Sequence, residues 1–205
     1  MSVATKAELV REINAVHERV RFINTRKGIK DIEAELLYQA AKASRGLILE
    51  IGSYMGRSTA YLALGTMAGN KQHIFSIDPW RAPVEVHLFE TFQRNIAQLG
   101  VNGIVTPIRM PSAEAYRLKK PVDAWQSGIE LLFIDGDHLK AGVELDLRWI
   151  DLVNVGGMVV FHDYGNQDWP DVTTVVDRYR NDHPDLLQLH KLKGHLIVFT
   201  KVAVI

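Results

Sequence analysis

Residues 47–63 read LILEIGSYMGRSTAYLA, an apolar run that ends in a carboxylate, crosses two glycines and turns directly into a helical pattern. Residues 47–51 have the length and apolar content of a buried strand, with Glu50 near its carboxyl end. Gly52 and Gly56 supply a turn where backbone can approach a ligand without a Cβ in the way. Ser58 or Thr59 is placed to cap the helix that follows. A strand, a glycine turn and a helix N-terminus make a pocket of inward-pointing N–H groups at a sheet edge.

Downstream, apolar runs recur at residues 73–77, 104–108, 129–134 and 158–161, separated by helical patterns such as Phe89, Phe92, Ile96 and Leu99. Val143, Leu147 and Ile150 form the inward stripe of a further helix. Residues 164–171 read as a loop and 172–179 as the last helix. Residues 186–192 and 196–202, on either side of Lys193-Gly194, read as an antiparallel hairpin. Upstream, Leu9, Val10, Ile13, Val16 and Val20 form one helical stripe, and Ile32, Leu36, Leu37 and Ala40 a second. The alternation predicts an α/β fold: a three-layer, Rossmann-like sandwich with a mostly parallel seven-stranded sheet and a C-terminal antiparallel hairpin. Residues 1–205 are expected to form a single domain, with 1–45 as an N-terminal helical cap.

Of 205 residues, 47% are hydrophobic, enough for one well-buried domain. Lys+Arg and Asp+Glu both total 24, so no global field steers the chain toward nucleic acid or an anionic membrane. The absence of cysteine excludes disulfides and thiolate metal sites. No signal peptide or membrane-spanning run is legible, and a cytoplasmic location is expected. The basic residues Arg19, Arg21, Arg26, Lys27 and Lys30 read as a solvated face.

In open α/β sheets ligands bind outside the carboxyl ends of the strands. Those ends carry Glu50, Gly52 and Ser53, then Asp78, then Ser112, then Asp135, Asp137 and His138, then His162 and Asp163. Asp78 stands where an acidic residue takes the ribose hydroxyls in nucleoside-binding folds. The turn lacks both the dinucleotide glycine spacing and the Gly-Lys-Ser/Thr ending of a phosphate loop, and Glu50 opposes a pyrophosphate. A positively charged nucleoside fits better, and S-adenosylmethionine carries an ammonium and a sulfonium and no phosphate.

LEIGSYMGRSTAYLA, FSIDPW, and FIDGDH with VVFHDY together resemble the class I S-adenosylmethionine-dependent methyltransferases. The likeness is closest to the metal-dependent O-methyltransferases of the catechol and caffeoyl-CoA kind and to related sugar and antibiotic enzymes. It implies S-adenosylmethionine as cofactor, with Glu50, Gly52, Ser53, Gly56 and Ser58 about its methionine end. Asp78 would hold the ribose, Ser112 would lie near the adenine, and Asp135 would stand beside the cofactor. It also implies a divalent metal at Asp135, His162 and Asp163, although His-Asp departs from the Asp-Asn or Asp-Asp of those enzymes. An all-oxygen site suits magnesium, whereas an imidazole shifts preference toward manganese, iron, nickel or zinc. Asp137 is the favoured general base and His138 the alternative.

The expected partner is a hydroxylated small-molecule acceptor, a sugar or a phenolic ring, with no nucleic acid and no membrane; a homodimer is admitted. Two alternatives stay open: a metal-independent methyltransferase acting on nitrogen or carboxylate, and a nucleoside-binding domain without catalysis.

Overall fold

A computed structural model describes residues 5–23, 29–81, 87–118 and 128–204. Five parallel strands, β1 (Leu47–Ile51), β2 (Ile74–Asp78), β3 (Val105–Arg109), β4 (Ile129–Ile134) and β5 (Val153–Phe161), are followed by a hairpin of β6 (Leu187–Lys193) and β7 (Leu196–Lys201). The sheet order is β3-β2-β1-β4-β5-β7-β6, with β7 antiparallel to β5. The expected seven-stranded, mostly parallel sheet with its terminal hairpin is therefore observed.

The order follows from burial. β1 and β4 are apolar at nearly every position because both of their faces are covered. Ile48, Leu131 and Phe133 point to one layer, with α1 (Lys6–Val20), α2 (Asp31–Ala43), α3 (Arg57–Ala68) and α4 (Leu88–Leu99). Leu49, Leu132 and Ile134 point to the other, with α5 (Ser112–Arg117), α6 (Lys140–Asp146) and α7 (Pro170–Asp182). No helix among the described residues is long and apolar enough to cross a membrane.

α3 is buried from Ser58 to Thr66 because the sheet lies on one side of it and α2 on the other. A Cβ on Gly65 would sit 2.3 Å from the Tyr38 carbonyl oxygen, so this glycine lets the N-terminal helices press against the glycine-turn helix. α1 buries Ile13, Val16 and Val20 of its expected stripe, whereas the register of α2 differs. In α2 it is Glu33, Ala34, Leu37, Tyr38, Ala40 and Ala41 that face inward, while Ile32 is 53% exposed. The buried face is rotated by one residue, and a carboxylate takes a core position.

Some expected boundaries also shift. β5 begins at Val153 rather than near Met158, because its pairing with β4 resumes across an irregularity that contains Gly156 and Gly157. The helix after β4 tightens at Leu147 into a 3₁₀ segment, Leu147–Leu152, which still buries Leu147 and Ile150. α7 starts at Pro170, whose fixed φ suits the first helical turn.

Between β1 and α3 the chain turns through Gly52 at φ +85, where a Cβ would meet the Asp135 carbonyl oxygen at 1.9 Å. Gly52→Ala is therefore expected to cost more than about 2 kcal/mol in urea unfolding, from strained backbone and a clash with backbone that cannot yield. Gly103→Ala, with open space around its Cβ, is the control and is expected to be near neutral.

Candidate active site

The carboxyl ends of β1 to β5 open into one cavity of about 1690 Å³. That is larger than a typical small-molecule pocket and has room for a nucleoside and a second molecule side by side.

Glu50 does not line this cavity. It is 0% exposed behind the glycine turn, where its carboxylate accepts from four hydroxyls: Ser58 Oγ (2.6 Å), Thr59 Oγ1 (2.5 Å), Ser53 Oγ (2.8 Å) and Ser76 Oγ (2.8 Å). Burial pushes the Glu50 carboxyl up, against these four donors. The expectation that Ser58 or Thr59 caps α3 is corrected here: the N-cap is Gly56, with no side-chain cap, because both hydroxyls turn inward to Glu50. Gly52, Ser53 and Ser58 do face the cavity. Gly56, at φ +88, lies behind it against Phe92 and Ile96.

Asp78, on the cavity wall, organises the turn. One oxygen accepts from the N–H groups of Ser53 and Tyr54, each at 2.9 Å, and the other from Trp80 N–H at 2.5 Å. Tyr54 and Trp80 both hold φ 44, a strained value for side-chain-bearing residues, and the carboxylate offsets that strain. Trp80 is 5% exposed between Phe89 and Phe92, and its indole N–H donates to Tyr54 O at 2.8 Å. It is a packing residue.

Ser112 reaches the cavity at the end of β3, and its hydroxyl donates to Asp146 of α6. Asp146 is 2% exposed, also on the wall, and burial pushes its carboxyl up to about 6. The sequence reading passed over it, although a carboxylate three residues from Val143 and four from Ile150 falls on an inward stripe.

At the ends of β4 and β5 lies a cluster of five ionisable groups. His162 Nδ1 is 3.0 Å from Asp135 Oδ1 and 3.1 Å from Asp163 Oδ2, and its Nε2 faces Glu33 Oε2 at 3.4 Å. His138 Nε2 bonds Asp163 Oδ2 at 2.9 Å, and its ring stacks on Trp169 with centroids 4.5 Å apart. Glu33, fully buried, also accepts from His195 N–H and Lys30 N–H, each at 2.8 Å. The missing Cβ of Gly194 makes room for it, since an added one would lie 2.4 Å from Glu33 Oε1.

Electrostatics follow the geometry. Burial opposes the charge on each group, yet the carboxylates of Asp135 and Asp163 push His138 up to about 9. The same two carboxylates and Glu33 push His162 up to about 12. His162 and the N–H groups of His195 and Lys30 hold Glu33 at about 2, and the two histidines hold Asp163 well below the usual carboxylate range.

Among the described residues, donor atoms of Asp135, His138 and Asp163 all lie within 4.8 Å of one another, a spacing compatible with a cation. The structure thus puts His138 with the two aspartates, and turns His162 between them and Glu33. Asp137 is exposed at the rim. Its Oδ1 accepts from Leu139 N–H at 2.9 Å, and its side chain lies flat where a Cβ on Gly142 would be. Arg57, inside the opening motif, donates to Ile23 O and Ile29 O, each at 3.2 Å, and to Asp31 at 2.7 Å. Lys30 and Arg81 also face the cavity, while Arg26 and Lys27 lie outside the described residues.

Residues 49–164 match the methyltransferase-domain family, and the chain belongs to it. The uncharacterized protein R132 of Acanthamoeba polyphaga mimivirus is 31% identical over 135 residues, 63% of this chain and 57% of that protein. The match thus spans little more than half of that relative's length. Among solved structures, cofactor-bound Rv0187 from MTB superposes with a TM-score of 0.69 at 19% identity, covering 93% of this chain and 89% of the other. The O-methyltransferase from Bacillus cereus in complex with SAH gives 0.59 at 16% identity, with 93% and 91% covered. The shared fold is that of the class I S-adenosylmethionine-dependent methyltransferases.

Three outcomes are expected from the charges. Glu50→Leu strands four buried hydroxyls and should cost about 3–5 kcal/mol in chemical denaturation, whereas Glu50→Gln keeps an acceptor and should cost clearly less. His138, raised from an ordinary 6.5 to about 9, contributes stability that is complete below about pH 6.5 and is lost as pH rises through about 9. The Tm gap between the wild type and His138→Gln should therefore close over that window, and a gap independent of pH would contradict it. Glu33 acts at the other end: its contribution is present above about pH 4.5 and is lost as pH falls toward about 2.

Proposed function

We propose that the protein transfers a methyl group from S-adenosylmethionine to a hydroxyl of a small molecule, a sugar or a phenolic ring. The observation that carries this reading is a single cavity that sets the Asp78 turn beside the Asp135, His138 and Asp163 cluster. S-adenosylmethionine supplies the electrophilic methyl group. The Gly52–Ser53 backbone and Ser58 hold its amino-acid end, Asp78 accepts from the ribose, and the base lies toward Ser112. The number of carboxylates around the cavity favours the cationic cofactor over its neutral product.

A divalent cation fits Asp135, His138 and Asp163, two carboxylates and an imidazole, a donor set better suited to manganese, iron or zinc than to magnesium. Its charge would lower the pKa of an acceptor hydroxyl. Asp137, exposed beside that cluster, takes the hydroxyl proton as the oxygen forms its bond to the methyl carbon, while the sulfonium–methyl bond breaks with its electron pair left on sulfur and S-adenosylhomocysteine departs. Trp169 and the imidazole stacked on it wall off one side of the acceptor space.

One observation favours a metal-independent variant of this reading. His162 Nδ1 already bridges Asp135 and Asp163 at 3.0 and 3.1 Å and His138 lies 2.9 Å from Asp163, so two imidazolium groups can balance the two carboxylates without a metal. Dialysis against chelator followed by titration with magnesium, manganese and zinc separates the two, since cation binding with a measurable heat is expected only from the first.

Calorimetry with S-adenosylmethionine and S-adenosylhomocysteine tests the core of the proposal. Micromolar binding of both is expected, and binding of NAD or ATP in their place would refute it. Asp78→Ala should weaken that binding about tenfold or more, as the turn loses three N–H partners, while Asp137→Asn should spare it and slow turnover. Equal loss of affinity in both variants would undo this division of roles.

A further inference from the structure

We propose that Arg57 is a positioning residue that fastens the cavity wall at the start of α2 to the glycine turn, so that filling the cavity and docking this wall are coupled. The inference rests on the S-adenosylmethionine reading above and extends it from the turn to Ile29, Lys30 and Glu33.

Arg57 is the first residue of α3, between Gly56 of the turn and Ser58, whose hydroxyl is fixed on Glu50. Its backbone thus belongs to the turn side of the cavity. Its guanidinium reaches the other side: Nε donates to Ile29 O and Nη1 to Ile23 O, each at 3.2 Å, and Nη2 to Asp31 Oδ1 at 2.7 Å. Each guanidinium nitrogen therefore holds a different group around the entry to α2. A planar fork of donors can do this, whereas the single ammonium of a lysine cannot.

These bonds are sheltered from water. Ile23 and Ile29 are 1% and 3% exposed and the Arg57 side chain 17%, so the two carbonyls have little solvent to replace a lost donor. Elsewhere α2 and α3 are joined by close backbone packing, Gly65 on Tyr38 and Gly69 on Lys42, toward their carboxyl ends and away from the cavity. At their amino ends, which face the cavity, the link is Arg57. Ile29, Lys30 and Glu33 line the same cavity as Gly52, Ser53 and Ser58, so a molecule that fills it meets both sides and favours the docked arrangement. By linkage, docking and ligand binding strengthen each other by the same factor.

Hydrogen exchange read by mass spectrometry follows the amides of Glu33 and Ala34, which bond Lys30 O, with and without S-adenosylhomocysteine. In the wild type the ligand is expected to slow their exchange about tenfold. Arg57→Ala should speed exchange in the free protein about thirtyfold, abolish the ligand's protection, and weaken S-adenosylhomocysteine binding about five- to thirtyfold. Amides of β4 should stay protected in this variant, which separates local release of the wall from general unfolding. Arg57→Lys keeps the charge without the fork and should resemble Arg57→Ala at these amides. Exchange in the wild type that the ligand leaves unchanged, or an Arg57→Ala protein that binds S-adenosylhomocysteine as tightly as the wild type, would overturn the coupling. Should Arg57→Ala fail to fold, Arg57→Lys and the wild-type comparison still decide. Failure of the wild type to bind S-adenosylhomocysteine would overturn the cofactor reading and this coupling together, and the binding measurement alone identifies that case.

Discussion

A single buried carboxylate, Glu50, ties together the elements on which the cavity depends. Its four hydroxyl partners come from the glycine turn (Ser53), the first turn of α3 (Ser58 and Thr59) and the neighbouring strand β2 (Ser76). A charge removed from water is tolerated only where its hydrogen bonds are complete, and completing these requires the turn, the helix and the strand to be in place together. The carboxyl group at the end of β1 therefore acts through structure: it shapes the turn whose backbone faces the cavity.

Around that core, the site is built as much from missing atoms as from present ones. Gly52 lets the β1 turn touch the backbone of Asp135, Gly136 lets the β4 loop cross Asp146, and Gly142 lets Asp137 lie against α6. The β4 loop, which carries Asp135, Asp137 and His138, is thus fixed on three sides by contacts that any Cβ would break. Backbone held this closely keeps side chains in place without a large cost when a ligand arrives.

The start of α2 contributes directly to the cavity wall. Glu33 of α2 binds the turn between β6 and β7 through His195 N–H and faces His162 across the cavity floor, while Arg57 of α3 holds the carbonyls of Ile23 and Ile29. Three carboxylates around His162, and two around His138, keep both imidazoles charged. The paired charges make this region a source of both stability and pH sensitivity.

The strands, the glycine turn and the polar strand ends were legible in the sequence because local patterns set them. Apolar runs of five or six residues mark buried parallel strands, and Asp78, Ser112, Asp135, Asp137, His138, His162 and Asp163 all face the cavity as their strand-end positions imply. Glu33 and Asp146 were not legible. Each sits on a helix where hydrophobic period alone assigns it to no site, and each has a partner more than thirty residues away, at His162 and Ser112. Nor could the sequence tell that Glu50 is turned away from the cavity, or that His138 pairs with Asp163 while His162 bridges both aspartates with one nitrogen and faces Glu33 with the other. The sequence by itself determined which elements form and where their polar ends gather, since that follows from local periodicity. Which side chains meet there was decided only by tertiary packing, because long-range hydrogen bonds depend on distances that no local pattern records.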